Sequence, residues 1–94
     1  MDEITINNIL YDYYGELLTE SERSHFEDYY FHNLTLAEIA QKHGLSRNAI
    51  HKTIKKVESK LKNYEDKLKL HEKSKQIKEI VKDKELLKKI EEIL

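Results

Sequence analysis

No proline interrupts this chain, and only two glycines do, Gly15 and Gly44. Proline breaks helices and glycine makes sharp turns, so a chain poor in both reverses direction mainly between helices. A sheet protein needs frequent turn residues and runs of β-branched side chains, and neither is found here. The expected fold is therefore all-α, a bundle of four to six helices. At 94 residues it has room for one small core. Residues 1–68 read as a helix-turn-helix domain and residues 69–94 as a C-terminal helical extension.

Ile6, Ile9, Leu10, Tyr13, Tyr14 and Leu17 recur at helical spacing and place a first helix over about Ile4–Leu17. Gly15 is costly inside it, which a closely approaching helix would explain. Thr19 and Glu22 form a capping box, the threonine oxygen taking an orphan amide proton while the glutamate reaches back. The second helix then runs to about Phe31 with Phe26, Tyr29 and Tyr30. Thr35 and Glu38 repeat the box and open a third helix, which ends at Gly44. Ser46 caps a long fourth helix that passes Lys60 and extends to Leu68. Residues 69–76 are polar enough for a bend or a frayed joint. Ile77, Ile80 and Val81 follow, and Asp83 caps a last segment with Leu86, Leu87, Ile90 and Ile93.

The segment Leu36 to Lys56 is the most informative. Two helices that cross steeply need a small residue at their closest approach, which Ala40 supplies. They need a residue tolerant of positive φ in the turn, which Gly44 supplies. Apolar anchors are needed on both sides, and Ile39, Leu45, Ile50 and Ile54 fill those places, with Leu45 as the buried residue of the turn. Together with the Ser46 cap, this pattern predicts a helix-turn-helix. An ordinary αα-corner is the bland alternative.

Charge is distributed unevenly. Residues 1–45 hold nine acids and two bases, residues 46–62 six bases and one acid, and residues 63–94 nine bases and eight acids. The basic excess falls on the fourth helix, where Arg47, Asn48, His51, Lys52, Lys55, Lys56, Ser59 and Lys62 avoid the apolar stripe. Such a face suits phosphate contact, with Asn48 and Lys52 placed to read bases. It equally suits an acidic protein, a structured RNA, or water alone. Lysine makes no rigid two-pronged fork, so sequence specificity is expected to be weak. The stripe itself continues through Val57, Leu61, Tyr64 and Leu68 in steps of three and four, a heptad-like seam. Two partners fit it: the chain's own first helix, or a twin across a homodimer axis.

Several chemistries find no support. Without cysteine there is neither disulfide nor thiolate metal site. The five histidines are scattered, Glu22-x-x-His25 occurs once where a di-iron bundle needs two copies, and no glycine-rich phosphate loop is present. We therefore expect no enzyme activity, no cofactor and no metal. No apolar stretch is long enough for membrane insertion and the first residues do not open a signal peptide, so the expected location is cytoplasmic.

Several ordered blocks resemble one known family. Leu10-Tyr11-Asp12-Tyr13-Tyr14-Gly15-Glu16-Leu17-Leu18-Thr19, Tyr29-Tyr30, Leu34-Thr35-Leu36-Ala37-Glu38-Ile39-Ala40, Ser46-Arg47-Asn48-Ala49-Ile50-His51 and Tyr64-Glu65-Asp66-Lys67-Leu68 are similar to the YlxM family of bacterial proteins. The resemblance implies an all-helical fold like region 4 of sigma factors. It also implies a regulatory or accessory role in the signal recognition particle pathway, with the particle's GTPase or its RNA as partner. Duplex DNA is the partner under the alternative of a transcription regulator, and a structural dimerisation module is a third reading. Asn48 stands where the family pattern leads one to expect glutamine, and Lys52 where it leads one to expect an acid.

Overall fold

The computed structural model describes residues 2–94, which form six α-helices: α1 (Glu3–Tyr14), α2 (Glu20–Tyr30), α3 (Leu36–His43), α4 (Arg47–Leu68), α5 (Leu70–Ile80) and α6 (Lys84–Ile93). The helix starts follow their caps. Thr19 Oγ1 accepts from the Glu22 amide at 3.1 Å while Glu22 accepts from the Thr19 amide at 2.9 Å. Thr35 and Glu38 repeat both bonds at 3.1 and 3.0 Å. Ser46 accepts from the Ala49 amide at 3.1 Å, and Asp83 accepts from the amides of Glu85 and Leu86. Asp2 does the same for α1, accepting from Thr5 at 2.7 Å, a cap the sequence reading did not assign.

The end of the first helix needs correction. The α-helical part of the first segment stops at Tyr14 and tightens into a 3-10 turn over Gly15–Leu17. Gly15 has an ordinary right-handed backbone, and a Cβ there would lie 3.0–3.2 Å from the Tyr11 ring of its own helix. The crowding therefore comes from within α1, not from a neighbouring helix. The second helix ends at Tyr30, with Phe31 as its cap residue.

The core has two parts. Leu10, Tyr11, Tyr14, Leu18, Phe26, Val57 and Leu61 join α1, α2 and α4. Ile39, Ala40, Ile50 and Ile54 join α3 to the start of α4. Tyr30 packs against both parts. Its ring stacks on Phe26 at 4.1 Å, and Phe26 stacks on Tyr11 at 4.6 Å, a three-ring column through the middle of the domain. Val57 and Leu61 are fully buried against α1 and α2, so this part of the seam takes the intramolecular partner. Tyr64 is half-buried beside the same cluster and Leu68 is exposed.

The expected frayed joint at residues 69–76 is instead a break at one residue. Lys69 adopts a left-handed backbone, φ 56°, and helix resumes at Leu70. The freed amides are satisfied from the domain side: Tyr14 Oη accepts from Leu70 at 3.0 Å, and the Glu65 carboxylate accepts from His71 and Glu72 at 3.2 and 3.1 Å. Burial and the Glu65 carboxylate push the Tyr14 phenol up to about 12. Beyond this joint little is buried: Ser74 in α5 and nothing in α6. The radius of gyration is 15.8 Å. A compact chain of this length would have about 12 Å, and the excess reflects α5 and α6 extending from the core of α1 to α4.

Candidate nucleic-acid interface

Between α3 and α4 the chain turns in three residues, Gly44 to Ser46. Gly44 has φ 67°, a conformation that costs a residue with Cβ about 1–2 kcal/mol. The Leu45 amide donates to the Ala40 carbonyl at 2.9 Å and the Gly44 amide to the Gln41 carbonyl at 3.4 Å. These two bonds form a Schellman closure that satisfies the last carbonyls of α3. Ile39, Ala40, Ile50 and Ile54 are buried as the motif requires. Leu45 is not: it is 48% exposed, against the expectation of a buried anchor. Its backbone fixes the turn, and Ile39, Ile50 and Ile54 already supply the apolar contact.

A buried carboxylate ties α3 to α2. The Asp28 carboxylate, 2% exposed, accepts from Lys42 Nζ at 3.0 and 3.2 Å. His43 Nε2 lies 3.2 Å away and His32 Nδ1 3.1 Å. Burial works to raise this carboxyl, but the hydrogen bonds from His32, His43 and Lys42 outweigh it and hold it at about 2. His25, edge-on to His43 at 4.5 Å between ring centres, is pushed down by burial and by that neighbour.

Arg47, Asn48, His51, Lys52, Lys55, Lys56, Ser59 and Lys62 are all exposed on α4, as the wheel predicts. They are not equivalent. Lys56 and Lys60 reach Glu22 of α2 at 3.9 and 2.8 Å, Lys62 reaches Glu3 of α1 at 3.0 Å, and Lys55 lies 3.4 Å from Glu58 of its own helix. The acidic amino-terminal half thus answers much of the basic segment from inside the molecule. Among the described residues, Arg47 and Lys52 form no ion pair. The open cationic surface therefore contracts to the first two turns of α4, Arg47 to Lys52, directly after the turn.

Sequence reasoning did not single out Asp28 or Glu58, and it gave Glu22 a capping role without its lysine partners. Glu58 is buried within the apolar stripe, four residues after Ile54 and three before Leu61, and accepts from the Tyr30 hydroxyl. Asn7, likewise buried among Leu10, Tyr11 and Tyr14, donates to the same hydroxyl at 3.1 Å. A polar residue on an apolar stripe was the available signal in both cases. For Asp28 the partners come from α3 and the loop before it, and no local pattern announces them.

Among the described residues no cluster of three histidine or acidic side chains could hold a metal ion, and no helix is long and apolar enough to cross a membrane. The geometry is that of a helix-turn-helix with an exposed second helix, and the chain has relatives among the UPF0122 proteins. A UPF0122 protein of Malacoplasma penetrans is 41% identical over 92 residues, 93% of this chain and 86% of that protein. One from Bacillus pumilus is 38% identical over 94 residues, 100% of this chain and 80% of that protein. One from Desulforamulus reducens is 44% identical over 63 residues, which cover 67% of this chain but only 54% of that protein. Residues 1–93 match the family described as "Putative helix-turn-helix protein, YlxM / p13 like". The chain belongs to this YlxM/p13-like helix-turn-helix family.

Proposed function

We propose that the protein is a non-enzymatic regulator that grips nucleic acid with the first two turns of α4. One observation supports this most: Arg47, Asn48, His51 and Lys52 are exposed at the start of the motif's second helix, where Arg47 and Lys52 have no internal counter-charge. In helix-turn-helix complexes those are the turns that enter the major groove. Arg47 and Lys52 suit guanine edges or phosphates, and Asn48 suits an adenine edge. Lys55 sits beside the buried Glu58 and Lys62 beside Glu3, so neither leads the contact. The acidic α1 and α2 would repel a nucleic acid wrapped around the whole domain, so contact is confined to one face and affinity is modest.

The signal recognition particle reading rests on the resemblance to the YlxM family and makes the particle's RNA or its GTPase the ligand. A sigma-region-4-like placement on promoter DNA makes duplex DNA the ligand. Titration of labelled duplex DNA, particle RNA and particle GTPase at two salt concentrations separates them. Duplex binding that falls steeply with salt, by about 0.9 logarithmic units per phosphate contact for each tenfold rise in salt, supports DNA. Saturable binding of the particle RNA or GTPase with little affinity for random duplex supports the targeting role. Binding of the GTPase alone, or undiminished affinity of the Lys52→Glu variant for both nucleic acids, overturns the nucleic-acid interface.

A further inference from the structure

We propose that His25 and His43 form a proton switch, which holds the last turn of α3 on α2 while at most one ring is charged and releases it when both are. The two rings meet edge-on with their centres 4.5 Å apart. They differ in what can take up a charge. His43 Nε2 lies 3.2 Å from the Asp28 carboxylate, so a proton on His43 is answered on the spot. His25 is 5% exposed, and its buried Nδ1 has no hydrogen-bond partner. A proton added there meets neither water nor a free acceptor. The charges acting on His25 are His43 of α3, which opposes its proton, and Asp28 of its own helix, which favours it more weakly. Asp28 is already taken by Lys42, His32 and His43. One turn back on α2, Glu22 is held by Lys56 and Lys60 of α4.

Charging both rings requires one of them to reach water, and packing decides which element moves. Phe26 fixes α2 in the core it shares with α1 and α4. Ile39 and Ala40 fix the body of α3 against Ile50 and Ile54. The last turn of α3 adds no side chain to either core: Gln41 and Lys42 are exposed and His43 is half-buried. Its hold on α2 is the polar contact of Lys42 and His43 with Asp28. The end of a short helix held in this way opens without unfolding the rest. The turn from Gly44 to Ser46 follows directly, so release reaches the joint between α3 and α4. Burial and His43 hold His25 below the ordinary 6.5, so the fold favours the neutral ring. Closure is therefore complete above 6.5 and is lost as pH falls through the lower folded value. Asp28, held at about 2, stays charged throughout that window.

The test is amide hydrogen exchange of the full chain from about pH 7.5 to about pH 5, each rate corrected for the chemical exchange rate at that pH. Protection of the last-turn amides, Lys42 to Leu45, should fall at least about tenfold, while the amides of Leu10, Val57 and Leu61 keep theirs. His25→Phe retains a buried ring that takes no proton and should abolish most of the fall. His25→Gln should do the same with a polar group, which covers the case of a phenyl ring that disturbs packing. In His43→Gln the opposing neighbour is gone, so the His25 ring should titrate at higher pH, read from its Cε1–Hε1 signal. A wild-type chain that keeps its last-turn protection at pH 5 overturns the proposal, as does protection lost evenly through the domain. So does a fall undiminished in both His25 variants, or a His25 titration indifferent to His43→Gln.

Discussion

The unit of α3 and α4 and the pair α5 and α6 are written in the same amphipathic idiom, yet they fare differently. In the first, Ile39, Ile50 and Ile54 are 0–3% exposed, and the turn between the helices is closed by its own amides. In the second, Ile80, Leu86 and Ile93 remain at least half in water. Periodicity makes a helix and gives it a face, but it does not supply the surface that covers that face. The motif obtains its cover from Tyr30, Leu34 and Leu36, and the Asp28 contacts tie α3 to α2. The extension is joined to the domain through the Tyr14 and Glu65 contacts at Lys69.

The largest expected contrast is between Ile50→Ala and Leu86→Ala. Truncating fully buried Ile50 should cost about 2–5 kcal/mol, while half-exposed Leu86 should change stability by less than about 0.5 kcal/mol at concentrations where the chain is monomeric. Denaturation in urea reads both from the midpoint shift at constant slope. Similar losses at the two positions would erase the distinction between the regions.

Acid should weaken the motif next. Asp28 has its folded value depressed to about 2 from the model-peptide range near 3.8. A depressed carboxyl contributes stability that is whole above its unfolded value and is lost as pH falls through the folded one. The unfolding free energy should therefore drop by about 2 kcal/mol between pH 4 and pH 2, and Asp28→Asn should lack that share. His25 adds to the same trend at higher pH. Its folded value lies below 6.5, so the unfolded chain takes up the proton first and stability declines as pH falls below that point. A stability profile flat from pH 7 to pH 2 would contradict both assignments.

Two backbone positions sharpen the comparison at smaller scale. Gly44→Ala should cost about 1 kcal/mol through the left-handed backbone alone, since no atom lies within 4 Å of the added Cβ. Lys69→Gly should stabilise the chain by about 0.5 kcal/mol for the converse reason, its φ of 56° being strained for lysine. Thermal melts resolve the opposite signs. A stabilising Gly44→Ala or a destabilising Lys69→Gly would show that these turns are held by something other than backbone preference.

Local chemistry was legible in the sequence. The capping boxes at Thr19 and Thr35, the Ser46 and Asp83 caps and the closure at Gly44 involve partners within a few residues, and all form as expected. Leu45 misled because an apolar residue in a turn reads as an anchor, whereas its amide performs the structural role. The basic face misled by degree. Composition counts charges without their partners, and Glu22 meets Lys60 across 38 residues of chain. Only packing α1 and α2 on α4 shows that Lys56 and Lys62 are answered and Lys52 is not.

That distinction allows a direct test. Affinity for a fixed nucleic acid, whichever of duplex DNA or particle RNA binds, should be measured by anisotropy at low salt for Lys52→Glu and Lys62→Glu side by side. The free cation of the second turn should cost at least tenfold, and the lysine already paired with Glu3 less than about threefold. Equal losses, or a larger loss at Lys62, would contradict a binding surface confined to the start of α4.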